Sequence, residues 1–396
     1  MRRSLFAAFH LLSAASASFL DAAKVQERAF EYVIKPKVFI ISMFDPEADI
    51  WYGIPEFDLL ALNITVPGFS PLFPDAHCTA DGDICQLVTG ESEINAAATV
   101  SSLVHSQRFE LTSTYFLVAG IGGVNPEVAT ISSVTFARYA VQVALQYEID
   151  PRELPSNFPT GYVPQGSTSP DEYPQSIYGT EVFEVNHNLQ HLAASFARNA
   201  TLNDSSAAVA YRAKYATSDL YTAGTKAPSV IECDVATSDV YYSGKLLGEA
   251  FSNYTKLVTN GTGNYCTTAQ EDNATLEVLV RAAATNLVDF ARIIIMRTAS
   301  DFDRPWPGQP ASVNLFYSSQ QGAFEPAIQN IYLAGIKVVE GILDGWNATF
   351  SKGVAASNYI GDIFGTLGGE ADFGPAAYSN AVTKRDVLRK RSIHLR

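Results

Sequence analysis

The chain has 396 residues, of which 41 are acidic and 27 basic, and its formal net charge at pH 7 is −14. Hydrophobic residues make up 47% and charged residues 17%, a globular composition that excludes a largely disordered or fibrous chain. The acidic excess also argues against nucleic acid as a partner, because phosphate backbones are bound mainly through Lys and Arg.

The first segment in chain order is typical of a secretory signal. Arg2 and Arg3 precede an apolar stretch over 5–12, and Ala15-Ser16-Ala17 has the small-x-small pattern of a cleavage site. We therefore predict a signal peptide over residues 1–17 and a secreted or cell-surface protein; an ordinary buried N-terminal helix is the alternative. Seven N-x-Ser/Thr sequons support a secreted glycoprotein, at Asn63, Asn199, Asn203, Asn253, Asn260, Asn273 and Asn347.

Strand and helix patterns alternate along the rest of the chain, which indicates an α/β fold. Short apolar runs of strand length, each ending in small or acidic residues, occupy 38–44, 114–119 and 293–296. Apolar residues at helical spacing predict helices over 93–104, 276–290 and 324–346, and a proline-rich stretch over 151–179 predicts a long loop. We predict one domain from about 25 to 380 and a basic tail over 384–396, either disordered or trimmed at its dibasic pairs.

The sequence also argues against a membrane-spanning protein and against a metal site. After the predicted signal no stretch reaches about 18 consecutive apolar residues, so we expect no membrane-spanning helix. His187 and His191 have helical spacing but no HExxH motif surrounds them, which favours a solvated helix face over a metal site. We expect neither a metal ion nor another cofactor.

Four cysteines, an even number, suit disulfides in an exported protein. We favour Cys78–Cys85, which would close a turn-rich loop, together with Cys233–Cys266. The other two connectivities remain open, and a metal site is the weaker alternative because no CxxC spacing occurs.

A glycine cluster follows the second apolar run, at Gly120, Gly122 and Gly123. Glycines there permit close approach of a ligand to the backbone, although a tight structural turn explains them equally well. Because ligands of open α/β sheets bind beyond the carboxyl ends of strands, we expect this cluster and Asp301, which follows the third run, to face one cleft.

Six segments in order make the chain resemble the nucleoside phosphorylase superfamily, and within it the fungal family of purine nucleoside permeases. The segments are 38–47, Gly90-Glu91-Ser92-Glu93, 119–123, Phe183-Glu184-Val185-Asn186, Gln270-Glu271-Asp272 and Arg297-Thr298-Ala299-Ser300-Asp301. The resemblance implies a single-domain, three-layer α/β fold with a central mixed sheet flanked by helices. It also implies a purine nucleoside as the ligand and a possible homo-oligomer.

The resemblance further implies roles for individual residues in cleaving an N-glycosidic bond. Asp301 would protonate the purine, Glu47 would activate water, and Glu271 would bind the ribose hydroxyls. Asp272, next to Glu271, would be a further substrate-binding residue. Phe183 would stack on the purine; the glycine segments, Gly90 among them, would approach the ligand, and Asp239 is a weaker candidate near the base. Alternatives stay open: Asp301 as a helix N-cap or a partner of Arg304, Glu47 as an exposed turn acid, and Phe183 as a core residue.

One departure from the phosphorylases affects the predicted reaction. Phosphorylases of this superfamily hold phosphate with arginines near the first and central glycine turns, whereas no Arg or Lys occurs between residues 38 and 107 here. A phosphate dianion is bound poorly in an acidic cleft without a guanidinium. We therefore predict a nucleoside hydrolase; a non-catalytic nucleoside-binding or uptake protein, a phosphorylase, and a glycoprotein that retains only the fold are the alternatives.

Overall fold

The computed structural model describes residues 33–371 and Phe373. The predicted signal peptide and basic tail lie outside these residues. Most of the described strands join one large mixed sheet. The strands are β1 (Val38–Ser42), β2 (Leu62–Thr65), β3 (Asp75–Cys78), β4 (Ile84–Val88), β5 (Tyr115–Val124), β6 (Val134–Ala137), β7 (Tyr139–Gln142), β8 (Gln146–Glu148), β9 (Tyr162–Pro164), β10 (Val182–Glu184), β11 (Val230–Glu232), β12 (Asp234–Thr237), β13 (Tyr265–Ala269), β14 (Ile293–Phe302) and β15 (Gly361–Asp362).

Helices cover both faces of this sheet. They are α1 (Asp45–Asp49), α2 (Glu93–Val104), α3 (His187–Ala197), α4 (Ser206–Arg212), α5 (Lys245–Val258), α6 (Asp272–Ala284), α7 (Ala311–Phe316) and α8 (Phe324–Asp344). Alternate residues of β1 enter different cores: Phe39 packs on the side of α2 and α6, and Ile40 on the side of α3 and α8. The predicted α/β class, a mixed sheet between two layers of helices, is confirmed.

The centre of the sheet is parallel and buried on both faces. β5 pairs in parallel with β1 on one side and with β14 on the other. The continuous apolar sequence of β1 and its complete burial are what a strand covered on both faces requires. Further pairings link β14 to β6, β7 to β12, β12 to β13 and β13 back to β5, and only Arg138 separates β6 from β7 along the chain.

The predicted strand ends at residues 119 and 296 are wrong. β5 continues through the glycine cluster to Val124, and β14 continues to Phe302, because the two strands hydrogen-bond to each other along this whole length. The glycines therefore lie within a strand and not in a turn. The register between the two strands shifts between Ala299 and Asp301, where the ladder is irregular.

Two of the three helix predictions are confirmed, and the third is shifted along the chain. The helices predicted over 93–104 and 324–346 are confirmed as α2 and α8, the latter ending at Asp344. The third, predicted over 276–290, begins four residues earlier and ends at Ala284, before Asn286 at a φ of 60°. The stretch over 151–179 is a long loop that carries only short elements, β9 among them.

Both favoured disulfides are present. Cys78–Cys85 joins directly paired residues of neighbouring strands β3 and β4, and Cys233–Cys266 joins the start of β12 to β13. All four cysteines are therefore used, which removes the alternative connectivities and the cysteine metal site. Across residues 33–371 and 373, no helix combines the length and apolar character needed to cross a membrane.

Candidate functional site

A cavity of about 270 Å³ opens where α1, the glycine part of β5 and the ends of β13 and β14 meet. Its charged lining is strongly acidic. Of the described residues that line it, five carry carboxyl groups and one a guanidinium: Glu47, Glu91, Glu271, Asp301, Asp303 and Arg297. The parallel pairing of β1, β5 and β14 brings together lining residues that are as far apart in the sequence as Glu47 and Asp301.

Glu47 forms part of the floor of the cavity. Pro46 in the first turn starts the short helix α1 directly after β1, and this turns the Glu47 side chain inward, where only 1% of the residue is exposed. Its carboxylate oxygens accept hydrogen bonds from the N–H groups of Ile121 (2.7 Å) and Met43 (2.8 Å). Burial raises the pKa of Glu47 to about 8, against the opposing effects of Arg297 and these N–H groups. The alternative of an exposed turn acid is excluded.

Arg297 is surrounded by carboxylates. It extends from β14 and donates to both oxygens of Asp272, to Glu271 Oε2 (3.2 Å) and to the carbonyl of Ile121 (3.1 Å). Although burial lowers the pKa of Arg297, Asp272 and Glu271 raise it above its ordinary value. Burial in turn raises the pKa of Glu271, which Arg297 partly offsets.

Asp301 lies on β14 at the other end of the glycine segment. Its Oδ1 accepts a hydrogen bond from Ser300 Oγ (2.7 Å), and burial raises its pKa to about 6, with the charge of Asp303 adding to the effect. Both alternative roles fail. The residue sits inside a strand and not at a helix N-cap, and Arg304 pairs with Asp303 and Glu127 instead.

The glycines of β5 leave room for these groups. A Cβ on Gly120 would lie 2.7 Å from Glu47 Oε1 and 2.8 Å from Arg297 Nη1. A Cβ on Gly122 would overlap the carbonyl oxygen of Thr268, and one on Gly123 would lie 3.7 Å from Asp301 Oδ2. Glu47 and Asp301 therefore lie beside points of β5 that are three residues apart.

Gly90 belongs to a neighbouring turn. Its φ of 80° suits glycine, and the turn directs the N–H of Ser92 to Glu271 Oε1 (2.9 Å). Gly90 and Gly120 do not line the cavity themselves, whereas Gly122 and Gly123 do.

Three other predicted ligand contacts are not brought to the cavity. Phe183 is completely buried in the core between β10 and α6, so its predicted stacking on a purine is not supported, and the core alternative is correct. Asp239 accepts a hydrogen bond from the N–H of Glu93 (2.8 Å), although its neighbours Ser238 and Val240 do line the cavity. Asp272 contacts Arg297 and is absent from the cavity wall.

Aromatic and apolar side chains of the cavity were missed by the sequence analysis. Tyr241, on the loop between β12 and α5, lines the cavity and is 70% exposed. Met43 and Phe44 before α1, and Phe324 at the start of α8, add apolar surface. The one available signal was that Tyr241 lies two residues after Asp239, which the resemblance placed near the base.

The sequon beside Glu271 has a structural role. Asn273 is 1% exposed and its amide donates to the carbonyl of Thr180 (2.8 Å), so the folded chain has no space for a glycan there. Among residues 33–371 and 373, no group of three or more His, Cys, Asp or Glu side chains is arranged to hold a metal ion.

Comparisons with known proteins give one consistent result. A family model described as purine nucleoside permease (NUP) matches residues 35–355. A purine nucleoside permease from Candida albicans is 44% identical over 354 residues, covering 88% of this chain and 86% of the relative. A probable purine nucleoside permease from Schizosaccharomyces pombe is 41% identical over 323 residues, covering 80% and 91% respectively. Among solved structures, a 5′-methylthioadenosine/S-adenosylhomocysteine nucleosidase from Helicobacter pylori is 14% identical, with a TM-score of 0.46, covering 78% of this chain and 100% of that one.

Proposed function

The chain belongs to the purine nucleoside permease family, and from that membership and the cavity we propose that it binds purine nucleosides and hydrolyses their N-glycosidic bond. The observation that carries the hydrolytic step is a pair of carboxyl groups that line one cavity, the buried Glu47 and the half-buried Asp301. Each has a pKa moved towards neutrality by burial, which suits a group that exchanges a proton during a reaction.

Hydrolysis of this bond needs two proton transfers and support for a positively charged sugar. Asp301 gives its proton to the purine as the bond between the sugar carbon and the base nitrogen breaks. A water oxygen bonds to that carbon, and Glu47 takes the proton that the water loses. Glu271 accepts hydrogen bonds from the ribose hydroxyls, and the acidic lining stabilises the positive charge on the sugar.

The resting distribution of protons differs from the one that this reaction needs. Burial raises the pKa of Glu47 to about 8 and that of Asp301 only to about 6, so near pH 7 Glu47 is mostly protonated and Asp301 mostly ionised. The reactive arrangement, with Asp301 protonated and Glu47 ionised, is therefore the minor one in the free protein. A nucleoside that hydrogen-bonds to Asp301 through a base nitrogen favours this arrangement.

The charges of the cavity support water over phosphate as the nucleophile. The described lining holds five carboxyl groups, and its guanidinium, Arg297, already donates to Glu271 and Asp272. An incoming phosphate dianion finds repulsion there, whereas water does not.

Tyr241 is the aromatic side chain best placed to meet the purine. It lines the cavity with most of its surface exposed, and a bound base would cover it. This assigns to Tyr241 the stacking contact that the sequence assigned to Phe183.

Nucleoside binding without chemistry is the second candidate, and the resting position of the proton on Glu47 favours it. The two are separated by incubating the purified protein with inosine and adenosine, with and without phosphate, and assaying free base, ribose and ribose 1-phosphate. Hydrolysis gives base and ribose in both conditions. Binding with no release of base rejects hydrolysis, and ribose 1-phosphate formed only with phosphate identifies a phosphorylase. Asp301→Asn should retain nucleoside binding and lose base release.

We also propose that the protein is exported. Two disulfides, which use every cysteine of the chain, are typical of proteins folded in an oxidising compartment. The intact mass of protein recovered from the medium of a secreting host tests this: the mature chain should begin after Ala17. Recovery only from the cytosol rejects it.

A further inference from the structure

Arg297 is unusual because four of its five N–H donors bond to acceptors within the protein. It is the guanidinium among the described residues that line the cavity, yet it is only 2% exposed. Its Nε donates to Asp272 Oδ2 (3.3 Å), Nη1 to the carbonyl of Ile121 (3.1 Å), and Nη2 to both Glu271 and Asp272. A free guanidinium in such a place would be a strong site for an oxyanion.

The two carboxylates that hold Arg297 face different surroundings. Glu271 lines the cavity and also accepts the N–H of Ser92, so it is available to a ligand. Asp272 begins α6 and is completely buried. Both oxygens of its side chain accept hydrogen bonds from Arg297. This bidentate contact fixes the plane of the guanidinium and neutralises its charge.

The charges around Arg297 come from three elements. Glu47 approaches from α1, Glu271 precedes α6, and Asp272 begins it, so three carboxyl groups compete for one cation. Glu47 and Glu271 are required in the cavity by the proposed reaction. Asp272 is the one of the three that no ligand can reach.

We propose that Asp272 is a positioning residue that holds Arg297 against the floor of the cavity and so prevents inorganic phosphate from binding there. Asp272 meets Arg297 through both carboxylate oxygens, which is the contact that a bound oxyanion would make with a guanidinium. In consequence the nucleophile in the proposed reaction is water, and this part of the inference rests on the proposed function. Exclusion of phosphate itself does not rest on it, because anion binding needs no chemistry.

Asp272→Asn tests this directly, since the side chain keeps its shape and loses its charge. Calorimetric titration with inorganic phosphate should detect no binding to the wild-type protein. The variant should bind phosphate at least about tenfold more tightly than wild type, because hydrogen bonds to charged groups are individually strong. Asp272→Glu, which restores a carboxylate, should exclude phosphate again.

Glu277→Gln is the matched control. Glu277 lies on the same helix and pairs with Arg281, whose side chain is exposed, so its replacement removes one negative charge without touching Arg297. This variant should not bind phosphate. Binding by Glu277→Gln equal to that of Asp272→Asn overturns the proposal, because a general charge effect would then explain both.

Two further outcomes also decide the matter. Wild-type protein that binds phosphate, or a folded Asp272→Asn variant that does not, overturns the proposal; folding is checked by circular dichroism. If Asp272→Asn does not fold, the test compares Arg297→Gln with the wild-type protein. Phosphate binding by the wild type that Arg297→Gln abolishes would show that Arg297 is free to bind an anion, and would contradict the proposal. Absence of phosphate binding by the wild type supports the proposal. Should the protein prove not to cleave nucleosides, the phosphate titrations remain valid, so the two failures are distinguishable.

Discussion

Replacement of Asp301 by Asn should make the protein more stable and less active at the same time. Burial raises the pKa of this carboxyl from its ordinary 3.8 to about 6, so the folded protein binds the proton more tightly than the unfolded chain. The stability that this proton contributes is fully present below about pH 4 and is lost as the pH rises through 6. Above pH 6 the ionised carboxylate therefore costs at most about 3 kcal/mol, a ceiling because part of the side chain faces water in the cavity.

Asn has the same shape and no charge, so it avoids this cost while still accepting the hydrogen bond from Ser300. Urea denaturation at pH 4, 5, 6 and 7 should show wild type losing stability relative to Asp301→Asn across this range. At pH 7 the variant should be more stable by about 1–3 kcal/mol. Base release by the variant should fall by about 10²–10⁴-fold.

Ser300→Ala is a useful control because it removes the partner and keeps the carboxyl group. It should lose the hydrogen bond that lowers the pKa of Asp301, and so move the stability change to higher pH. An Asp301→Asn variant that is less stable than wild type at pH 7, or that releases base at the wild-type rate, would refute the reasoning: the carboxyl would then be structural.

Three further predictions concern the same cavity. Wild-type kcat/KM for nucleoside cleavage should follow a bell-shaped pH profile with limbs near pH 6 and 8, since Asp301 must be protonated and Glu47 ionised; a rate independent of pH between 5 and 9 would contradict this. Gly120→Ala should slow nucleoside cleavage, because the new Cβ would collide with Glu47 and Arg297. Denaturation should show a packing cost of about 1–3 kcal/mol in the free energy of unfolding. An unchanged cleavage rate would contradict the positions of Glu47 and Arg297 beside Gly120. Tyr241→Ala should weaken nucleoside binding in a fluorescence or calorimetric titration by about 1 kcal/mol or more, and Tyr241→Phe much less, whereas Tyr147→Ala, another exposed tyrosine, should have no effect.

Local patterns predicted the central elements well where a single principle decides the structure. The apolar run of β1 and the helical spacing of α2 and α8 are each sufficient, because burial on two faces or on one stripe dictates them. The lengths of β5 and β14 could not be predicted in this way. Their glycine and acidic halves have weak strand propensity, and they are strands because each supplies hydrogen bonds to the other.

The candidate site shows the same division. Glu47, Glu271 and Asp301, the three residues to which the resemblance assigned the reaction and the ribose, line one cavity. Asp272 is the neighbour of Glu271 in the sequence and was predicted, with it, to bind the substrate. In the structure a helix begins between the two residues, and successive side chains of a helix differ by about 100° in direction. Glu271 therefore faces the cavity while Asp272 faces Arg297 below it.

Burial of a carboxyl group does not by itself identify a functional residue, and Asp234 shows why. Burial raises the pKa of Asp234 to about 6, the same value as for Asp301. Asp234, however, accepts hydrogen bonds from the N–H groups of Arg138, Tyr139 and Asn264, so its oxygens join three segments of backbone and serve the fold. Asp301 receives a single hydrogen bond from a hydroxyl and opens onto the cavity. A carboxylate that is withdrawn from bulk water and receives few hydrogen bonds does not stabilise the folded state. In the proposed function, a nitrogen of the bound purine would supply the missing hydrogen-bond partner of Asp301.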